Sequence, residues 1–562
     1  MAVTFDSSVE QMLRWHNHVA SPISVTVHTG DVGDATDLTA NPSGDPYGPV
    51  VWEVPGVTVT TGMHWPSVEP GADLDVRLDA GRTPIRGVTL TWPHDLDPST
   101  PVLGDAWERS YGELGWQPLG SGRALPWYWL AANSANDGYL GHGVRVRANA
   151  FAGWTFADST FSLYLDLANG GDAAVLGDRS LLAATVVGIS DVTAETRHSA
   201  HEVVGKLCRR MCDDPLTGAG PIVGANNWYY AYGQGFDPDA VVADAALVAH
   251  CLGDHHVRPF GVADAGWSPG GGAPGGPWTA GTPGLFDDMP GLAQRVRDVG
   301  ARPGIWMRPI LRSFDIDESL VRAGGPRPAS EYPLDLSRPE VLQLVHDDVA
   351  RIAGWGFELI KHDFSTFDAF GLWGPAMAPG RITEPGWSFA DRSRTNAELL
   401  NALYDTILAG TRDGTPAGRP ETLIIGCNTV GHLAAGRVHI NRTGDDTSGR
   451  DWARTKKMGV NTLAYRLPQH ARFFTVDADC VPATPQTAWA KNRQFADAIA
   501  RSGTALFVSV DPASRTPAID ADLTTALRLT ANGGVPGFQP VDTDSPAPTV
   551  WESSEGEIHY DW

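Results

Sequence analysis

Between residues 221 and 511 the chain alternates eight short apolar segments with stretches of helical periodicity, and this alternation restricts the fold more than any other feature. The segments are PIVGANNW (221–228), RPFGVAD (258–264), RPGIWMRP (302–309), FELIKHD (357–363), TLIIGCN (422–428), RVHINR (437–442), RFFTVDA (472–478) and TALFVSVD (504–511). Eight such strands with intervening helices predict a (β/α)₈ barrel. The helices carry their own signals. SRPEVLQLVHDDVARIAGWG opens with a Ser337/Glu340 capping box and Pro339 in the first turn, and Val341, Val345, Val349 and Ile352 share one face. Thr395 and Glu398 repeat the box before residue 396. Only TVGHLAAG separates the fifth and sixth strands, too little for a full helix.

The flanks read differently. Residues 1–195 hold short alternating segments such as GVTVTTGMHW and TFSLYLDLA between Gly, Pro and Asp turns, which predicts an N-terminal β-sandwich. The barrel is expected over 196–515, and strand-like texture from about 515 predicts a short C-terminal β-segment over 516–562. The fold class is therefore multidomain, α/β plus all-β. A chain of 562 residues accommodates two to four domains at about 100–200 residues each.

Composition narrows the function. With 66 Asp and Glu against 42 Lys and Arg, the net charge is −24, and no Lys/Arg run offsets it, so nucleic acid and anionic membrane surfaces are poor partners. No apolar run approaches the roughly 18 residues of a membrane span. The start, MAVTFDSSVEQMLRW, lacks the features of a secretory leader, and five cysteines with no paired spacing suit a reducing compartment; a cytoplasmic location is expected. The 20 tryptophans serve either as sugar platforms or as packing, and the Trp-rich GDAWERSYGELGW (104–116) reads foremost as core or interface.

Barrel chemistry gathers where strands end. The polar residues there are Asn226, Asn227 and Trp228, then Asp264 and Trp267, Arg308, Lys361 with His362 and Asp363, Asn428, the RTGDD run from Arg442 to Asp446, and Asp477 with Asp479. Carboxylates from at least four strand ends, with cations and indoles among them, suit an uncharged polyhydroxylated ligand. Two facing carboxylates are what glycosyl transfer requires, one attacking the anomeric carbon and one protonating the leaving oxygen. Asp363 is the candidate nucleophile, with Lys361 on its face of the strand; Asp445 is the candidate acid/base, with Asp446 the alternative.

At these residues the chain resembles the retaining glycosidase clan that holds the α-galactosidases, over roughly 220–515. FELIKHDFST is similar to the clan's strand-four Lys-x-Asp pattern, GVADAGW to its strand-two pattern, RTGDDTS to the bacterial-type segment carrying the acid/base, and TALFVSVDP to the eighth strand of the eukaryotic-type enzymes. The resemblance implies a retaining exo-glycosidase with nucleophile Asp363 and acid/base Asp445, without metal or other cofactor. Sugar contacts are then expected from Asp264, Lys361, Arg442, Trp228, Trp267, Asn428, Asp446, Asp477 and Arg308. The partner is an oligosaccharide or other glycoside, and a homo-oligomer fits the same picture. Three positions depart from the clan: Ala265 stands where a second Asp is usual, GCNTVGH changes neighbours of the strand-five Cys, and Arg442 replaces a Trp.

Other readings stay open. Lys361 and Arg442 are either sugar contacts or rim ion pairs, and Asp477 and Asp479 either ligands or parts of an Asx turn. His362, His432 and His439 admit a metal-dependent hydrolase, although no His-x-His or His-Glu-x-x-His spacing occurs. A catalytically silent sugar-binding module and a transglycosylase are further readings. The Gly-rich GWSPGGGAPGGPW (266–278) is expected to form a mobile loop over the site rather than a phosphate loop.

Overall fold

The computed structural model describes residues 19–43, 49–65, 71–133, 138–191, 198–270, 272–328, 331–541 and 544–562. The segment read for a leader, MAVTFDSSVEQMLRW, lies outside them.

Among the described residues the N-terminal part is a pair of antiparallel sheets, one of six strands and one of nine. Strand Ser24–Thr29 alternates half-buried and buried residues, the pattern of a strand with one face on a core. The sheets meet through aromatic side chains: Trp129 of the larger packs edge-on against Phe161 (5.3 Å) and Trp154 (6.4 Å) of the smaller. This is the expected sandwich.

The eight expected barrel segments all form strands of one parallel sheet. In chain order they are Val223–Asn226, Phe260–Ala263, Arg302–Met307, Leu359–His362, Leu423–Gly426, Ile440–Arg442, Thr475–Asp477 and Leu506–Val510. The seventh continues after a bend as Val481–Ala483, which pairs with the eighth (Val481 opposite Val508). Asp479 makes the bend with φ +79. Ala505 N–H donates to Val476 O at 2.9 Å, and this bond closes the ring. Most strand residues are buried, so both faces are covered, as a barrel demands.

Local details amend three expectations. The Thr395/Glu398 capping box forms, but the Ser337/Glu340 box does not: helix Pro339–Gly354 is capped by Arg338, because the Ser337 hydroxyl turns back to donate to Asp335 at 2.6 Å. Past 515 the chain is not immediately strand-like. Residues Pro517–Ala531 form a helix, with the Thr516 hydroxyl accepting from Ile519 N–H at its start and Ile519, Leu523 and Leu527 buried against the neighbouring helices. The β-segment follows as three short strands, Gln539–Pro540, Val550–Ser553 and Gly556–His559. Finally, the Gly-rich loop is anchored. Gly276 N–H donates to Leu311 O (2.9 Å), Gly275 N–H to Ser313 (2.8 Å), and Trp267 and Trp278 at its ends have no exposed surface.

Among the described residues no helix is long and apolar enough to cross a membrane.

Candidate active site

The fourth strand ends at His362, and Asp363 follows at the rim, half-buried. Its backbone N–H still donates to Met307 O (2.9 Å), so the residue is fixed by the sheet. One carboxylate oxygen accepts from Trp306 Nε1 (3.2 Å) and the other from the Phe364 N–H (2.7 Å). Two residues earlier on the same strand face, Lys361 Nζ donates to Asp264 Oδ2 at 2.7 Å. Burial alone pulls the Lys361 ammonium down; Asp264, Cys427 and Asp363 overcome that and hold it well above its ordinary range. Asp264 also accepts from Asn226 Nδ2 and, through Oδ1, from Ala265 N–H (2.8 Å).

Across the rim, the sixth strand leads into Arg442–Asp446. Arg442 is buried and donates to Asp479 Oδ1 (2.7 Å) and Asp446 Oδ1 (2.8 Å). Both oxygens of Asp445 face guanidinium groups, Oδ1 at 3.0 Å from Arg109 Nη2 and Oδ2 at 2.6 Å from Arg454 Nη2. The side chains of the adjacent acids differ in exposure, 13 % for Asp445 and 41 % for Asp446. Burial would raise the Asp446 carboxyl, but Arg442, Arg109 and Lys361 overcome it and hold it at about 2. Asp477 moves the other way: burial pushes it up to about 6, helped by Asp479 and opposed by Arg442. Its Oδ1 accepts from Asp479 N–H (2.8 Å), so the Asx turn forms.

The rim is not built by the barrel alone. Residues 104–116 of the β-domain run into the mouth, where Ser110 N–H donates to Thr443 O (2.8 Å) and Asp445 N–H to Ser110 O (2.8 Å). Arg466 locks the insertion from below, bonding Asp105 Oδ1 (2.7 Å), Glu108 O (2.6 Å) and Thr443 O (2.8 Å). Glu108 is buried against Tyr111, Gly374 N–H and Asn428, and burial pushes its carboxyl above the ordinary range against the pull of Arg109. The insertion was legible only as an aromatic-rich segment; Glu108 and Arg109, the adjacent charges between Trp107 and Tyr111, were its overlooked signal.

Other expected residues are occupied within the protein. Arg308 is buried and forks onto Asp368 (2.6 and 2.8 Å) and Glu331 (2.9 and 3.2 Å). Asn428 is buried, holding Phe367 N–H and Glu108. Trp267 is fully buried, its Nε1 donating to Trp306 O (2.8 Å), so its ring offers no face to a ligand, whereas Trp228 is half-buried beside Tyr232. The three histidines serve separate structural bonds: His362 with Ser365 Oγ, His432 with Val144 O, and His439 with Ile424 N–H. Among the described residues no cluster of three His, Cys, Asp or Glu is arranged to hold a metal ion.

No protein-family model matches the chain, and no curated protein matches it in sequence. Solved structures do. An α-galactosidase from Thermus thermophilus, in complex with p-nitrophenyl α-D-galactopyranoside, superposes with a TM-score of 0.60 at 16 % identity, covering 90 % of this chain and 97 % of the other. The fold is that of the α-galactosidase barrels. A family 36 α-galactosidase from Geobacillus stearothermophilus in complex with raffinose superposes at TM-score 0.61 and 14 % identity, covering 94 % and 79 %. The galactosidase domain of an α-galactosidase–sucrose kinase follows at 0.59 and 16 %, covering 95 % and 76 %. The α-galactosidase fold thus spans sandwich and barrel together, consistent with a rim built by both.

Proposed function

We propose that the protein is a retaining exo-glycosidase acting on a terminal neutral sugar by double displacement. The observation that carries this reading is the pair Asp363 and Asp445, borne at the ends of the fourth and sixth strands of one barrel with Lys361, Arg442 and Arg109 among them. Asp363 attacks the anomeric carbon; Trp306 and the Phe364 N–H orient its oxygens by hydrogen bonding. Asp445 takes the acid/base role, as the RTGDDTS resemblance implies, with Asp446, whose carboxyl Arg442, Arg109 and Lys361 hold low, as the alternative. For the leaving oxygen to reach Asp445, Arg454 swings aside, as its 40 % exposure permits. Asp264 has three of about four acceptor positions filled, leaving one for a sugar hydroxyl beside Lys361. Arg442, Asp446 and Asp477 complete the polar side, and Trp228 offers a ring face.

The fold's solved examples include α-galactosidases bound to stachyose and raffinose. Ala265 argues for a glycone altered from galactose, with β-L-arabinopyranoside, α-N-acetylgalactosaminide and α-glucoside as alternatives, and transfer to a sugar in place of water is compatible with the same residues. A panel of aryl glycosides tests the reading: turnover of one of them, retained in EDTA and giving product of unchanged anomeric configuration, is expected. No turnover of any, or loss of activity in EDTA, refutes it.

A further inference from the structure

The two sides of this mouth are chemically unlike. Lys361, Asp264, Arg442 and Asp446 line one side. On the other, Phe364 follows Asp363 directly and is held at φ +61, a conformation rare for a bulky residue. Its ring meets Trp373 edge-on at 5.8 Å, and Phe367 lies stacked on Trp373 at 4.4 Å. Arg109 stands 4.9 Å over the Trp373 ring while it pairs with Asp445. Asp363, Phe364, Trp373, Arg109 and Asp445 thus form a continuous wall from one candidate catalyst to the other, and Phe364, Phe367 and Trp373 each keep part of their surface exposed.

Two charged groups behind this wall, Arg308 and Glu108, are already engaged within the protein. Arg308 lies over Phe364 (4.3 Å) with its nitrogens on Asp368, Glu331 and Ala273 O. Glu108 is taken by Tyr111, Gly374 N–H and Asn428. A sugar hydroxyl turned toward this wall finds few partners there, whereas a planar apolar group gains ring contact. The acid/base must stand beside the leaving oxygen, so a wall that ends on Asp445 faces the leaving group.

We infer that this wall is an aglycone subsite selecting glycosides of planar, apolar alcohols or phenols over oligosaccharides, completed by Arg109 from the β-domain. The inference rests on the glycosidase reading. Its test compares the 2-phenylethyl and ethyl glycosides of whichever sugar the aryl panel identifies, alongside a disaccharide of that sugar; the two simple alcohols leave with similar difficulty. The phenylethyl compound is expected to exceed the ethyl one about tenfold or more in kcat/KM, with the disaccharide no better than the ethyl glycoside. Trp373→Ala, and the milder Phe367→Leu, are expected to reduce that ratio to about threefold or less. A ratio near one in the unmodified protein, or a preferred disaccharide, overturns the inference. Should the panel give no turnover, the glycosidase reading has failed; saturation-transfer NMR with 2-phenylethanol then decides the subsite. Transfer to the phenyl protons that Trp373→Ala abolishes supports it, and no transfer in the unmodified protein overturns it.

Discussion

Arg109 of the β-domain stands 3.0 Å from Asp445 of the barrel and is itself buried. A guanidinium delivered from one domain thereby orients a carboxylate of the other. Arg109→Lys keeps the charge but not the planar fork that meets Asp445 while lying over Trp373. A loss of about 1.5–3 kcal/mol from this ion-pair contact corresponds to roughly a tenfold to hundredfold fall in kcat. Kinetics on the best aryl glycoside check this; an unchanged kcat in both Arg109→Lys and Arg109→Ala would show that Arg109 does not orient the acid/base.

Asp363→Ala is expected to lower turnover by at least about 10⁴-fold, as removal of a nucleophile does. Azide, attacking the vacated face, restores part of it and yields a glycosyl azide of inverted configuration relative to the enzyme's normal product. Near-normal activity in Asp363→Ala would sink the nucleophile assignment.

Asp445 and Asp446 are separated by leaving-group dependence. Asp445→Ala should cost about 10²–10⁴-fold on a poor leaving group and much less on a nitrophenol, because the latter needs little protonation. Asp446→Ala should affect both classes alike. The opposite pattern exchanges the two roles.

Substrate preference follows from Ala265. In the enzymes the chain resembles, paired acids after the second strand hold hydroxyls of galactose; here Asp264 stands alone. The missing charged hydrogen bond, about 1.5–3 kcal/mol, predicts aryl α-galactoside turnover roughly one to two decades below that of a sugar altered at C4 or C6. Efficient hydrolysis of the α-galactoside, measured as kcat/KM, would contradict this.

A last prediction concerns stability. Asp166 of the β-domain is fully buried, and burial pushes its carboxyl up to about 7, against smaller pulls from the Ala168 N–H and Arg86. Below its unfolded pKa of 3.8 both states hold the proton and no penalty exists; stability is then lost as pH rises, until the group ionises in the fold near 7. Asp166→Asn keeps an acceptor for the Ala168 N–H and removes the charge. It is expected to stabilise the protein by up to a few kcal/mol at pH 8, with the gain vanishing toward pH 4. Thermal unfolding of both proteins across that range provides the check; a gain independent of pH would rule out the titration.

What the chain's own pattern determined is local. The eight barrel strands were legible because each is a short apolar run between turn residues, and such a run buries both faces wherever it lies. The position of Asp363 at the rim was legible because it directly follows the apolar run and Lys361 of the fourth strand. Helix Pro517–Ala531 was missed although Thr516 and Pro517 announce it, since the strand-like residues beyond 548 coloured the whole tail.

Tertiary structure decided the rest. Nothing adjacent to Arg308 reveals that Asp368 and Glu331 consume it, and nothing in GVADAGW distinguishes the buried Trp267 from the half-buried Trp228. Asp445 and Asp446 are neighbours in sequence; the fold distinguishes their partners, with Arg109 reaching both (3.0 and 3.8 Å), Arg454 pairing with Asp445 and Arg442 with Asp446. Side-chain periodicity is set by bonds between neighbours in the chain and can be read from it. Ion pairing and burial depend on groups brought together by packing, as Ser110 is to Thr443, so the chemistry of this rim exists only once both domains have folded against each other.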